Sequence, residues 1–283
     1  MDLVVFKWLA VVLLLIIGLI GGFLPLWLKK ISKLFVHVAY AFSGGILGAV
    51  ALVHMLADAS STLDDHHVGA DFAKALSGGA DDNFPMGNAL FLIGFFLISS
   101  IEAALHQSSE GHAYDHSGHE HELQQETGLL QETSNSRNAA GWATLIGLTI
   151  HSFLEGVAMG VPTNEVQVGA LVTAVVAHKG FAAFANASVN LPLVKQGRKT
   201  LWILIVLWFS LTGPVGMMIG MSLSDSLDSA GTAVVTSLAA GSVLSVGVSE
   251  MLLPAFKDTK GLGWKLLSAW IGMLAMSLLG VWC

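Results

Sequence analysis

The chain has 283 residues, 54% of them apolar and only 12% charged, with a formal net charge of −7 and a mean hydropathy of +0.70. A soluble domain carries about a quarter charged residues, so this composition excludes an ordinary water-soluble fold and points to a membrane protein. An acidic chain without a basic patch gives no support to nucleic-acid binding, and a single cysteine, Cys283, excludes an intramolecular disulfide.

A run of about 20 apolar residues is long enough to cross a bilayer as a helix. Such runs are predicted near residues 4–28, 35–57, 88–106, 140–161, 166–192, 200–222, 231–254 and 264–282, eight in all. The apolar core of the first is too long for a signal peptide and lacks a small-residue cleavage site, so it reads as a helix. The expectation is an all-α membrane protein forming one transmembrane domain over residues 1–283. Lys29, Lys30, Lys33, Arg137, Lys195, Arg198, Lys199, Lys257, Lys260 and Lys265 follow odd-numbered spans, whereas only Lys7 and Lys74 lie on the other side. The positive-inside rule then puts both termini outside the cell or in a lumen.

Two connecting segments stand out. Residues 58–87 read as a flexible acidic outer loop carrying Asp58, Asp64, Asp65, His66, His67, Asp71, Asp81 and Asp82. Residues 107–139 read as a cytoplasmic loop whose stretch "EGHAYDHSGHEHELQQE" crowds His112, His116, His119 and His121 together. A short histidine-rich tract of this kind is a weak metal-binding signal.

Ionisable residues at membrane depth are rare and mark functional sites. In "HSFLEGVAMG", residues 151–160, His151 and Glu155 stand four apart on one helix face, roughly 6 Å from each other. His178 and Lys179 follow in "VVAHKGFAAFANA" of the next span. A short connection around residues 162–165 lets antiparallel helices bring His151 and His178 to one depth. Two imidazoles and a carboxylate suit a borderline divalent metal such as Zn²⁺. Lys179 points about 100° away from His178 and is expected to reach Glu155, or otherwise backbone carbonyls. Gly156 and Gly160 read as a close helix contact. His54 and Asp58 at an outer helix end, with Glu102, His106 and Glu250 towards the cytoplasm, complete a line of polar groups from face to face, as a cation pathway requires.

These residues resemble the ZIP (Zrt/Irt-like) family of divalent-metal transporters. The resemblance rests on the eight spans, the histidine-rich loop between spans 3 and 4, "HSFLEGVAMG" and "HKG", with further support from "LTGPVGMMIG" and "AAGSVLSVGVSEMLLP". The motif pairing is most similar to the animal subfamily of plasma-membrane zinc importers. The resemblance implies inverted repeats, spans 1–3 and 6–8, around central spans 4 and 5, and alternating access that moves Zn²⁺, or Fe²⁺, Cd²⁺ or Mn²⁺, into the cytoplasm. It also implies metal-site positions at His151, Ser152, Glu155, His178, Lys179 and Ala182. Many members hold two metals side by side. Here Lys179 and Ala182 replace ligands and Ser152 replaces a common asparagine, so one ion is expected.

Two other classes compete. An intramembrane metallohydrolase also places histidines at membrane depth, but no HExxH motif is present and a hydrolase needs only one entrance. A non-transporting metal sensor is the other. The partners expected are divalent metal ions and the lipid bilayer, and the small-residue helix faces are compatible with a homodimer.

Overall fold

In hydrocarbon every backbone N–H and C=O has to be satisfied within the segment, which leaves long apolar runs the helix as their available form. The computed structural model describes residues 2–27, 32–77, 84–110, 125–163, 165–224 and 226–279, and every regular element among them is helical. Helix α1 spans Leu3–Trp27; α2 (Lys33–Ala49) runs through a π-helical turn, Val50–Met55, into α3 (Leu56–Asp65). Then come α4 (Val68–Ser77), α5 (Met86–Glu110), α6 (Gln125–Gly160), α7 (Glu165–Val189) and the short α8 (Pro192–Lys195). Helix α9 is Lys199–Ser224; α10 (Ser229–Val246) passes through a second π-helical turn, Gly247–Leu252, into α11 (Leu253–Phe256), and α12 is Leu262–Leu279. Local chemistry fixes two of the starts: Ser32 Oγ accepts from the Phe35 amide at 3.1 Å, and Asp228 Oδ1 from the Gly231 amide at 2.7 Å, each relieving an orphan donor at a helix N-terminus.

Among the described residues five helices are long and apolar enough to cross a membrane: Leu3–Trp27, Leu34–Asp65, Met86–Ala104, Lys199–Ser224 and Ser229–Phe256. Leu145–Gly160 and Leu262–Leu278 are shorter apolar helices. Large apolar side chains such as Trp8, Ile20, Phe96, Trp208 and Trp270 stand exposed on their outer faces, as a lipid-facing surface requires. Helix α6 lies along α9, α1 packs on α7 and α9, α12 on α2, and α10 on α5. Glycine sets the closeness of these pairs. A Cβ at Gly156 or Gly160 would collide with the α9 carbonyls of Gly213 and Met217, so the expected small-residue contact exists and its partner is α9.

The segment from residue 58 departs from the expected flexible loop. Helix continues to Asp65 and resumes at Val68, because Ala59 and Leu63 are buried against Ala233, with Val68 and Met86 packed around them. Asp64, Asp65, His66 and His67 stay exposed on that helical cap, while Asp81 and Asp82 lie outside the described residues. Two lysines read from sequence as loop charges are buried instead. Lys7 donates to the Gly160 carbonyl at 2.5 Å and Lys265 to the Asp258 carbonyl at 2.5 Å. The Lys7 ammonium thus meets the negative end of the α6 dipole.

Candidate metal centre

Helix α6 carries His151 and Glu155 one turn apart, and α7 runs beside it with His178. All three side chains are buried, and one ligand atom from each lies within 4.8 Å of the others. Glu155 Oε1 is 2.9 Å from His178 Nε2 and 3.9 Å from His151 Nε2; the two imidazole centroids are 6.1 Å apart. His151 Nδ1 is buried without a hydrogen-bond partner. A buried polar atom in that condition costs free energy until something binds it. Two imidazoles and a carboxylate are a donor set for a borderline divalent ion.

Lys179 does not reach Glu155, as the sequence led one to expect. Its ammonium donates to Ser152 Oγ and lies 4.8 Å from the centre of the Phe209 ring. Neighbours on a helix point about 100° apart, so with His178 turned to the trio Lys179 leaves its helix towards α9, where Ser152 and Phe209 meet its ammonium. Ser152 is likewise buried, and Thr212 Oγ1 reaches its hydroxyl at 3.2 Å while donating to the Phe209 carbonyl at 2.8 Å. Ala182 is buried and offers no donor.

The remaining candidates do not join the trio; His151, Glu155 and His178 form the metal-competent cluster found among the described residues. His54 is buried in the first π-helical turn with Nε2 2.8 Å from the Met276 carbonyl of α12. With Asp58 it lines a cavity of about 520 Å³, whose wall also includes Asp65, His66, Asp228 and Thr232. Glu102 is buried on α5 against Gly147 of α6. Glu250 is half-buried in the second π-helical turn, within electrostatic reach of Tyr40 on α2. His112, His116, His119 and His121 lie outside the described residues, and so does the His106 side chain.

Sequence reasoning missed Phe209, Thr212 and Asp228. Thr212 sits in "LTGPVGMMIG", where a hydroxyl in an apolar helix is an unremarkable residue until its partner on α6 is seen. Asp228 carried a legible signal as an N-cap before an apolar run, although nothing in the pattern aims it at a cavity.

The model of the ZIP zinc transporter family matches residues 4–128 and 107–281. Zinc transporter ZIP1 of Danio rerio is 25% identical over 272 residues, covering 86% of this chain and 86% of its own. Zinc transporter ZIP2 of Homo sapiens is 25% identical over 242 residues, 78% of this chain and 77% of its own. Zinc transporter 11 of Arabidopsis thaliana is 24% identical over 296 residues, 99% of this chain and 86% of its own. With two matches that together span nearly all of the residues and enclose the buried trio, this chain belongs to the ZIP zinc transporter family.

Proposed function

We propose that this protein carries Zn²⁺ across the membrane into the cytoplasm by alternating access, binding one ion at a time between His151, Glu155 and His178. The observation that carries the reading is the trio itself: three buried ligand atoms within 4.8 Å of one another, on the α6–α7 pair. Relatives that bear the name of zinc transporters support Zn²⁺ ahead of Fe²⁺, Cd²⁺ or Mn²⁺, and imidazole ligands favour it over harder ions. The outer cavity with His54, Asp58 and Asp228 is the approach, and Glu102 and Glu250 lie along the exit.

The architecture proposed is eight spanning helices with inverted repeats, α1 to α5 in one and α9 to α12 in the other, around α6 and α7. The packing supports it: α2 on α12 mirrors α10 on α5, and α1 on α7 mirrors α9 on α6. Both second helices of the repeats carry a π-helical turn, Val50–Met55 and Gly247–Leu252, and such turns concentrate at functional sites. Exposed Lys195, Arg198, Lys199, Lys257 and Lys260 support a cytoplasmic face there, with both termini opposite. Burial of Lys7 sharpens that asymmetry. The motif resemblance supports the plasma membrane as the location.

The test is uptake of radioactive zinc into cells expressing the chain, with unlabelled iron, cadmium and manganese as competitors. Saturable zinc entry above that of control cells is expected. Zinc flux equal to control, with the protein in the membrane, would overturn the reading.

A further inference from the structure

Lys179 places a buried ammonium one residue from a metal ligand, and α9 encloses it. Its Nζ donates to Ser152 Oγ and sits 4.8 Å from the Phe209 ring centre. Thr212 reaches the same Ser152 hydroxyl at 3.2 Å. At Gly213 the missing side chain makes the room: a Cβ there would lie 2.8 Å from Nζ and 3.2 Å from Ser152 Oγ. An aromatic face and a hydroxyl each stabilise an ammonium away from water, so these residues form a built cradle for a cation.

Glu155 would compete for that cation: its carboxylate attracts Lys179, and a lysine side chain is a flexible four-carbon stem. In a low-dielectric interior opposite charges attract far more strongly than in water. An ammonium paired with Glu155 would occupy the oxygen that a divalent ion needs. In the structure Glu155 instead keeps its short contact with His178, 2.9 Å.

We propose that Phe209, Thr212 and Gly213 of α9 are positioning residues that hold the Lys179 ammonium off Glu155 and so keep a built-in competitor out of the metal site. They touch no cargo; they act through Lys179. The proposal rests on the reading of the trio as the site for the transported ion, and it also makes α9 part of the affinity of a site whose ligands all come from α6 and α7.

The test is a double-mutant cycle read as zinc affinity of the purified full-length chain in detergent, by titration with Zn²⁺ alone, which requires no flux. Phe209→Leu weakens the cradle and should raise the zinc Kd about tenfold, a size consistent with losing one desolvated cation–π contact. In a Lys179→Met background the same Phe209→Leu change should move the Kd less than about twofold, because no ammonium remains to be released. Thr212→Val, run through the same cycle, repeats the test with a smaller perturbation of packing. An equal loss in both backgrounds would mean that Phe209 and Thr212 only support packing. An unchanged Kd in the Lys179 background would mean that the ammonium stays off Glu155 without them. Either result overturns the proposal. Failure of the transport reading would be seen separately, as zinc binding without uptake.

Discussion

Glu155 of α6 and His178 of α7 meet at 2.9 Å, both buried, and this contact joins the two helices at the point where the cargo is proposed to bind. Removing the imidazole leaves a buried carboxylate short of a partner, at a cost of about 1–3 kcal/mol. His178→Ala is therefore expected to lower the thermal unfolding temperature in zinc-free detergent. It should also remove most of the stabilisation that zinc gives the wild type, about 2.7 kcal/mol at a hundred times its Kd. Thermal unfolding with and without zinc checks both.

The α6–α9 seam gives a prediction independent of metal. At Gly156 a Cβ would collide with the Gly213 carbonyl, so Gly156→Val forces the helices apart and costs about 1–3 kcal/mol or more. The expected outcome is a large loss of folded protein after detergent extraction, measured by size-exclusion chromatography. The same substitution at Gly169, where a Cβ meets nothing within 4 Å, should be tolerated.

Asp58 and Asp228 line one cavity together with His54, proposed as the approach to the site. Carboxylates at a cleft mouth raise the local concentration of cations, and salt weakens that effect. Asp228→Asn also keeps a side-chain oxygen for the α10 N-cap, so it removes charge with little loss of structure. It should raise the zinc KM severalfold at low ionic strength, leave the maximal rate unchanged, and show little difference from wild type in high salt. Uptake kinetics at two ionic strengths measure this.

Much of this was legible in the sequence because membrane helices advertise themselves by length and apolarity, and because His151 and Glu155 sit at the i, i+4 spacing that fixes a shared face. His178 was legible from the short connection that forces α7 back along α6. The partner of Lys179 was not: a sequence gives the direction a side chain leaves its helix, but not which neighbouring helix lies there, and Ser152 and Phe209 are found only once α9 is in place. The helical cap over Leu56–Asp65 and Val68–Ser77 was missed for a related reason. Its polar residues dominate the composition, while the helix is held by a few buried positions, Ala59 and Leu63, whose partner Ala233 lies far along the chain.

The histidines at 112, 116, 119 and 121 are expected to bind metal weakly and to be dispensable for the transport step, since ordering a polar segment around an ion costs conformational entropy. Deletion of residues 111–122 should leave zinc uptake within about twofold of wild type per protein at the membrane, measured by tracer flux normalised to surface expression.

The central claim is that one zinc ion is held by His151, Glu155 and His178. X-ray absorption at the zinc edge, combined with metal content per purified chain deleted for residues 111–122, tests it most directly. The account predicts one zinc per chain, with two imidazole nitrogens and a carboxylate oxygen at about 2.0–2.2 Å, and loss of that signature in Glu155→Ala. Two zinc ions per chain, or a coordination shell without imidazole that survives Glu155→Ala, would contradict it.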